Sequence, residues 1–179
     1  MESTDASTLA TTVLARFGSA VQRAEHPFVL GISGLQGSGK STLARGLIDV
    51  ARERGWGAVS LSIDDVYLTR VEREALAVNL HPLLRTRGVP GTHDLALLAS
   101  TLDALTKASP ERPVRIPRFD KSRDDRYDAA LWPAIGEPPK LVVLEGWCVG
   151  VEPATDPHKL SEPVNALERD EDADGRWRR

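Results

Sequence analysis

The chain has 179 residues, 41% of them hydrophobic and 27% charged, with a formal net charge of −3; this suits one globular domain and lacks the basic field of a generic nucleic-acid or membrane-surface binder. A single cysteine, Cys148, excludes an internal disulfide and points to a reducing compartment. The opening MESTDASTLATT lacks the charged start and apolar stretch of a secretory signal, and no apolar run is long enough to span a bilayer, so a cytoplasmic protein is expected.

Leu9, Val13, Phe17 and Val21 fall four apart within residues 8–24 and predict an amphipathic helix with those side chains on its inner face. Pro27 ends it, and the apolar run at 28–32 predicts a buried strand. Beyond a glycine-rich loop, Leu43, Leu47, Val50 and Ala51 predict a helix that stops at Gly55. Val59, Leu61 and Ile63 alternate and predict a second strand, which closes on Asp64 and Asp65. Residues 71–80 show a weaker helical pattern, and RTRGVPGTH reads as loop. Leu95, Leu98, Leu102 and Leu105 mark a helix entered through Thr92 or Asp94 and left before Pro110. VRIPRF reads as a short extended piece interrupted by Pro117, residues 120–139 as loop around a short helix, and KLVVLEG as a third strand. Strands alternating with helices predict an α/β fold, a parallel sheet with helices on both faces. The tail ALERDEDADGRWRR reads as a helix cut through its middle, which makes the chain read as a fragment.

The glycine-rich loop carries the most specific chemistry. Gly34, Leu35, Gln36, Gly37, Ser38, Gly39, Lys40 and Ser41, followed by Thr42, fit G-x-x-x-x-G-K-[ST] between a predicted strand and a predicted helix. Glycines let successive backbone N–H groups turn inward and approach a phosphate without a Cβ in the way. The start of the following helix adds free N–H groups and its dipole. Lys40 is placed to meet the β- and γ-phosphates of ATP, and the Ser41 hydroxyl to join a Mg²⁺ shell. Neither a guanine-reading Asn-Lys-x-Asp nor the transporter signature Leu-Ser-Gly-Gly-Gln is present. Instead each of the next two strands ends in carboxylates. Asp64 and Asp65 fall where a group transferring phosphate to a hydroxyl needs a proton acceptor. Glu145 falls where an acid organises Mg²⁺, and Asp64 is a further candidate for the same ion.

GLQGSGKST, LSIDDVYLT, RGVPGTHDL, PRFDKSRDDR and VVLEGWCVG occur in the order and at about the spacing of the D-glycerate 3-kinase family, and from about residue 28 to residue 170 the chain resembles it. That family is grouped with uridine kinase, phosphoribulokinase and pantothenate kinase. The resemblance implies a P-loop NTPase-type kinase domain over 28–179 behind an N-terminal helix over 1–27, with ATP and Mg²⁺ as cofactors and D-glycerate or a similar hydroxy acid as substrate. It implies transfer of the γ-phosphoryl group to give 3-phosphoglycerate, with Asp64 as base. Asp65, Tyr67, His93 and Asp94 would stand on the substrate side; Asp94 reads equally as a helix-start acid, and a lone histidine such as His93 is more often structural. Asp120, Lys121 and Arg126 are further substrate candidates, because a guanidinium or ammonium there could meet a carboxylate; which cation does so stays open. Trp147 is expected to pack and Cys148 to fill buried space. Relatives of this kind continue for about a hundred more residues and have sheet order 2-3-1-4-5. The chain is therefore expected to show only 2-3-1, with the phosphate-loop strand at an open edge, and to bind ATP weakly and turn over slowly by itself. Another acceptor of the uridine and pantothenate kinase group, or nucleotide binding without catalysis, are the alternatives. Neither nucleic acid nor membrane is expected as a partner.

Overall fold

A computed structural model describes residues 3–153 and 156–178. Three parallel strands form its centre: β1 (Phe28–Ser33), β2 (Ala58–Ser62) and, after four two-residue strands, β7 (Leu141–Gly146). Their order is β1-β7-β2, so the last strand in sequence lies in the middle. This is the expected 2-3-1 arrangement. Phe28 is in register with Leu141 and Ser33 with Gly146, while Ala58 is in register with Leu141 and Ser62 with Glu145. All three strands therefore finish at the same edge of the sheet.

The central strand is covered on both sides. Leu141 and Val143 turn to one face and Val142 to the other, the period of two that a pleated strand imposes. On the first face α1 (Ser3–Arg23) and α2 (Lys40–Glu53) close a core around Leu14, Val21, Leu47 and Ala51, each fully buried. Burying a side chain such as Leu14 or Val21 contributes about 1.5–3 kcal/mol. On the second face α4 (Leu95–Leu105) supplies Leu98 and Leu105, which meet Val59, Leu61, Ile116 and Val142.

The buried seam of α1 differs from the predicted one. Ala10, Leu14 and Val21 are fully buried, whereas Leu9 is 49% and Phe17 38% exposed. The four-residue spacing drifts around a helix that repeats every 3.6 residues, so the contact stripe follows Ala10 and Leu14 instead. Among the described residues β1 pairs with β7 alone, and Val29 stands half exposed on its outer part.

Further segments follow outside the central sheet. α3 (Arg70–Asn79) begins with a reciprocal capping box between Thr69 and Glu72. Residues 114–135 hold β3 (Val114–Arg115) paired with β6 (Ala134–Ile135), and β4 (Phe119–Asp120) paired with β5 (Asp125–Arg126), both antiparallel. The short helix expected there is a three-residue 3-10 turn, Ala129–Leu131, started by the Asp128 side chain. Near the chain end α5 spans only Ala166–Glu171. It does not continue as the tail pattern predicted: the buried Asp172 carboxylate accepts the backbone N–H groups of Trp177 and Arg178 and turns the chain back.

Candidate active site

The strand ends and the glycine loop enclose a cleft of about 960 Å³. One wall is the loop, through Leu35, Gln36, Gly37, Lys40 and Ser41; its floor is Glu145, Gly146 and Trp147 at the end of β7. The facing wall comes from Asp64 and Tyr67 after β2, from residues 85–88, and from Lys121 and Asp124. Trp147, 43% exposed, walls the cleft rather than packing inside, and Cys148 is half-buried rather than a core filler. Both follow the point where β7 leaves the covered sheet.

The loop is shaped to leave its donors open. Gly37 and Gly39 have φ of 78° and 88°, the left-handed region that other residues avoid. A Cβ on Gly34 would stand 2.9 Å from the Ser38 hydroxyl. Gly39 caps α2 with no side-chain hydrogen bond, and no acid of the helix itself lies in its first turn, so its first N–H groups have no side-chain cap. The Lys40 ammonium lies back on the Leu35 carbonyl at 2.9 Å. Gly34, Ser38, Gly39 and Thr42 shape the loop and helix start without lining the cleft.

The carboxylates are held by different partners. Ser62 starts a 3-10 turn at Ile63–Val66 by accepting the Asp64 N–H. Asp64 Oδ1 accepts the Tyr67 hydroxyl and Oδ2 the Lys121 ammonium, both at 2.7 Å. Burial by itself would raise the Asp64 pKa, but the hydrogen bonds from Lys121 and Tyr67, with the Lys121 charge, outweigh it and hold the carboxyl below its usual value. Burial, with the hydrogen bond to Asp64, pushes the Tyr67 hydroxyl far upward, so it remains a donor. Gly146 is required where β7 passes this turn, because any Cβ there would overlap Ile63 Cγ1 and Cδ1.

Glu145 is 8% exposed and accepts the Ser41 hydroxyl at 3.0 Å. A hydroxyl and a carboxylate at that separation are the hard oxygen donors that Mg²⁺ takes alongside phosphate and water. Among the described residues no cluster of three His, Cys, Asp or Glu side chains could hold a metal unaided. Ser41 and Glu145 are the residues that could contribute to holding such an ion, in a cleft that Asp64 also lines.

The other sequence candidates serve the wall rather than line it. Asp65 accepts Arg118 at 3.1 Å and the Phe119 N–H at 3.2 Å, tying β4 to the turn after β2, and burial raises its pKa despite Arg118. Asp94 caps α4 through the Leu97 N–H and pairs with Arg126 at 2.8 Å. Arg126 also donates to the Tyr67 carbonyl at 2.7 Å, which fixes the backbone under the tyrosine. Asp120 caps its own turn through Ser122 and Arg123. His93 lies against the Tyr67 ring, centroids 4.7 Å apart; its Nε2 is buried without a hydrogen-bond partner among the described residues, and burial lowers its pKa against the pull of Asp64.

Sequence reasoning missed Arg85, Thr86, Arg87, Gly88 and Asp124 on the cleft wall. Arg87 and Gly88 open the RGVPGTHDL motif and Asp124 lies in PRFDKSRDDR, but nothing local in either stretch marks these residues as lining a cleft. What places them is Arg73 of α3, 1% exposed, which donates to the Leu68, Arg85 and Asp124 carbonyls at 3.2, 2.8 and 2.7 Å and pairs with the Asp124 carboxylate at 2.9 Å.

A cleft with a phosphate loop on one wall and an ionised carboxylate on the other has the layout of a phosphotransferase. The comparisons agree. No family model matches the chain. Over 134 residues it is 46% identical to an uncharacterised kinase of Schizosaccharomyces pombe, mug58, a match covering 71% of this chain and 48% of that protein. It is 38% identical over 135 residues to the chloroplastic D-glycerate 3-kinase of Arabidopsis thaliana, covering 71% of this chain and 29% of that one. A solved D-glycerate 3-kinase from Cryptococcus neoformans superposes with a TM-score of 0.67 at 30% identity, over 88% of this chain and 56% of that structure. The chain is a homologue of the D-glycerate 3-kinases. This kinase homologue spans about half or less of each of these three relatives. Among its described residues no helix is long and apolar enough to cross a membrane.

Proposed function

We propose that this homologue transfers the γ-phosphoryl group of ATP to a hydroxyl of D-glycerate, giving 3-phosphoglycerate. The observation that carries the reading is Asp64, ionised and oriented by Tyr67 and Lys121, lining the same cleft as Lys40 and Ser41. The glycine loop and the open start of α2 bind the phosphates, and Lys40 leaves the Leu35 carbonyl to meet the β- and γ-oxygens. Ser41 and Glu145 would help to hold a Mg²⁺ ion, which would supply charge neutralisation on the phosphate oxygens. Asp64 accepts the hydroxyl proton as the acceptor oxygen bonds to the γ-phosphorus and the bond from that phosphorus to the bridging oxygen breaks, releasing ADP. D-glycerate is favoured as acceptor by the names of two relatives.

An ADP-release screen over D-glycerate, uridine and pantothenate tests it. D-glycerate is expected to raise ADP release at least tenfold over the acceptor-free rate. A larger response to uridine or pantothenate would move the homologue elsewhere in its group. ATP binding with no response to any acceptor would make it a nucleotide-binding module.

A further inference from the structure

Three cations and two carboxylates face the acceptor half of the cleft: Arg85, Arg87 and Lys121 against Asp64 and Asp124. Lys121 is committed to Asp64, and Arg87 to Asp124. Arg85 is exposed, and no ion pair engages its guanidinium among the described residues. Asp124 is shared with the buried Arg73, so the wall carries more positive charge than its own carboxylates balance. Taking an anionic acceptor out of water favours such a site.

Geometry selects the arginines. Arg126, the other guanidinium considered from sequence, is 16% exposed and spends its donors on Asp94 and the Tyr67 carbonyl, outside the cleft. Arg87 is about one-third exposed, and its guanidinium lies 5.8 Å from the centroid of the buried Phe119 ring. With one nitrogen on Asp124, it keeps further N–H groups in a planar fork suited to a carboxylate. Its loop is built rather than loose. Arg73 holds the Arg85 carbonyl, and the fully buried Thr92 accepts the Gly88 N–H at 3.1 Å while donating to the Val89 carbonyl at 2.6 Å. Gly88 itself has φ of 102°.

We propose that Arg87, seconded by Arg85, forms the subsite for the carboxylate of a monoanionic hydroxy-acid acceptor. This rests on the kinase reading above and names the group that selects its substrate. The Asp124 carboxylate, already on Arg87, is a resident stand-in that orients the guanidinium before the acceptor arrives. The acceptor's hydroxyl end is then left to Asp64, further along the same wall.

Calorimetric titration of the chain saturated with a non-hydrolysable ATP analogue and Mg²⁺ tests this, with D-glycerate, glycolate and uncharged glycerol as ligands. The unaltered chain is expected to bind D-glycerate and to ignore glycerol. Arg87→Gln should weaken D-glycerate binding about 30-fold or more, and Arg85→Gln about three- to fivefold. Affinity for the ATP analogue should stay within twofold in both. Arg87→Lys keeps a charge opposite Asp124 but loses the fork; about a tenfold loss is expected, and it carries the test if Arg87→Gln does not fold. Unchanged D-glycerate affinity in either Arg87 variant, or a loss confined to the ATP analogue, overturns the subsite while leaving the kinase reading intact. Binding of glycolate but not D-glycerate, lost in Arg87→Gln, supports the subsite and refutes glycerate as the acceptor. A chain that takes the analogue but no monocarboxylate refutes the subsite, whatever neutral acceptor it phosphorylates.

Discussion

Asp64→Asn is expected to lower the rate of phosphoryl transfer by about 10²–10⁴-fold while leaving ATP affinity within twofold. Asparagine preserves the size of the side chain and can still accept from Tyr67, but it has no basicity to take the hydroxyl proton. The residues proposed to hold the nucleotide are in the glycine loop and at the start of α2, on the other wall from residue 64. Single-turnover mixing with the protein in excess reads the rate even where repeated turnover is slow. Equal loss of rate and of ATP affinity would make Asp64 a structural residue. The same carboxyl predicts a pH behaviour. Its folded-state pKa lies below the ordinary value, so the unfolded chain binds its proton more readily. The contribution of its contacts to stability is present above the ordinary carboxylate range and is lost as pH falls through the depressed value. Between about pH 5 and 8 Asp64 remains ionised, and the rate profile should show no step from this group.

Arg73→Met is expected to cost about 3–5 kcal/mol of stability. For a chain of this length that lowers Tm by about 6–20 °C. Methionine fills much of the volume but leaves the Leu68, Arg85 and Asp124 carbonyls without their donor, and each unsatisfied buried group costs about 1–3 kcal/mol. The three carbonyls belong to α3's entry, the arginine loop and the turn between β4 and β5. Loss of Arg73 therefore releases the acceptor wall from its scaffold while α1, α2 and the sheet keep their own core. Arg73→Lys should not restore stability, because one ammonium cannot reach three carbonyls in different directions. Thermal unfolding followed by circular dichroism measures the shift. A loss below 1 kcal/mol would remove Arg73 as the organising residue.

The two walls of the cleft differ in how plainly the chain displays them. The phosphate wall is local: residues 34–42 are contiguous, and Gly37, Gly39 and Lys40 each answer a backbone or charge requirement that a short pattern records. The strands before and after it were legible for the same reason, as apolar runs bounded by breakers. Asp64 and Glu145 were legible as acids closing such runs. The acceptor wall is assembled from distant pieces. Arg73 reaches 51 residues to Asp124, Arg87 reaches 37 to the same residue, and Lys121 reaches 57 to Asp64. No periodicity spans those distances, so a charged loop such as RFDKSRDDR displays cations and acids without their partners. That is why Asp94 and Arg126, both candidates for the substrate, stand joined to each other, while Arg87, at the start of RGVPGTHDL, has no neighbour in sequence that marks it as a cleft residue. The α1 seam was misplaced for another reason: Ala10, small and inconspicuous, is buried, and Phe17 is not.

The proposed transfer requires an acceptor hydroxyl to meet the γ-phosphate between Asp64 and the glycine loop. Mixing excess protein with ATP labelled at the γ-phosphorus, Mg²⁺ and D-glycerate, then separating the products, tests it most directly. Label is expected in phosphoglycerate, absent when D-glycerate is omitted and strongly reduced in Asp64→Asn. Label only in inorganic phosphate, or retained in ATP that the protein demonstrably binds, would contradict it.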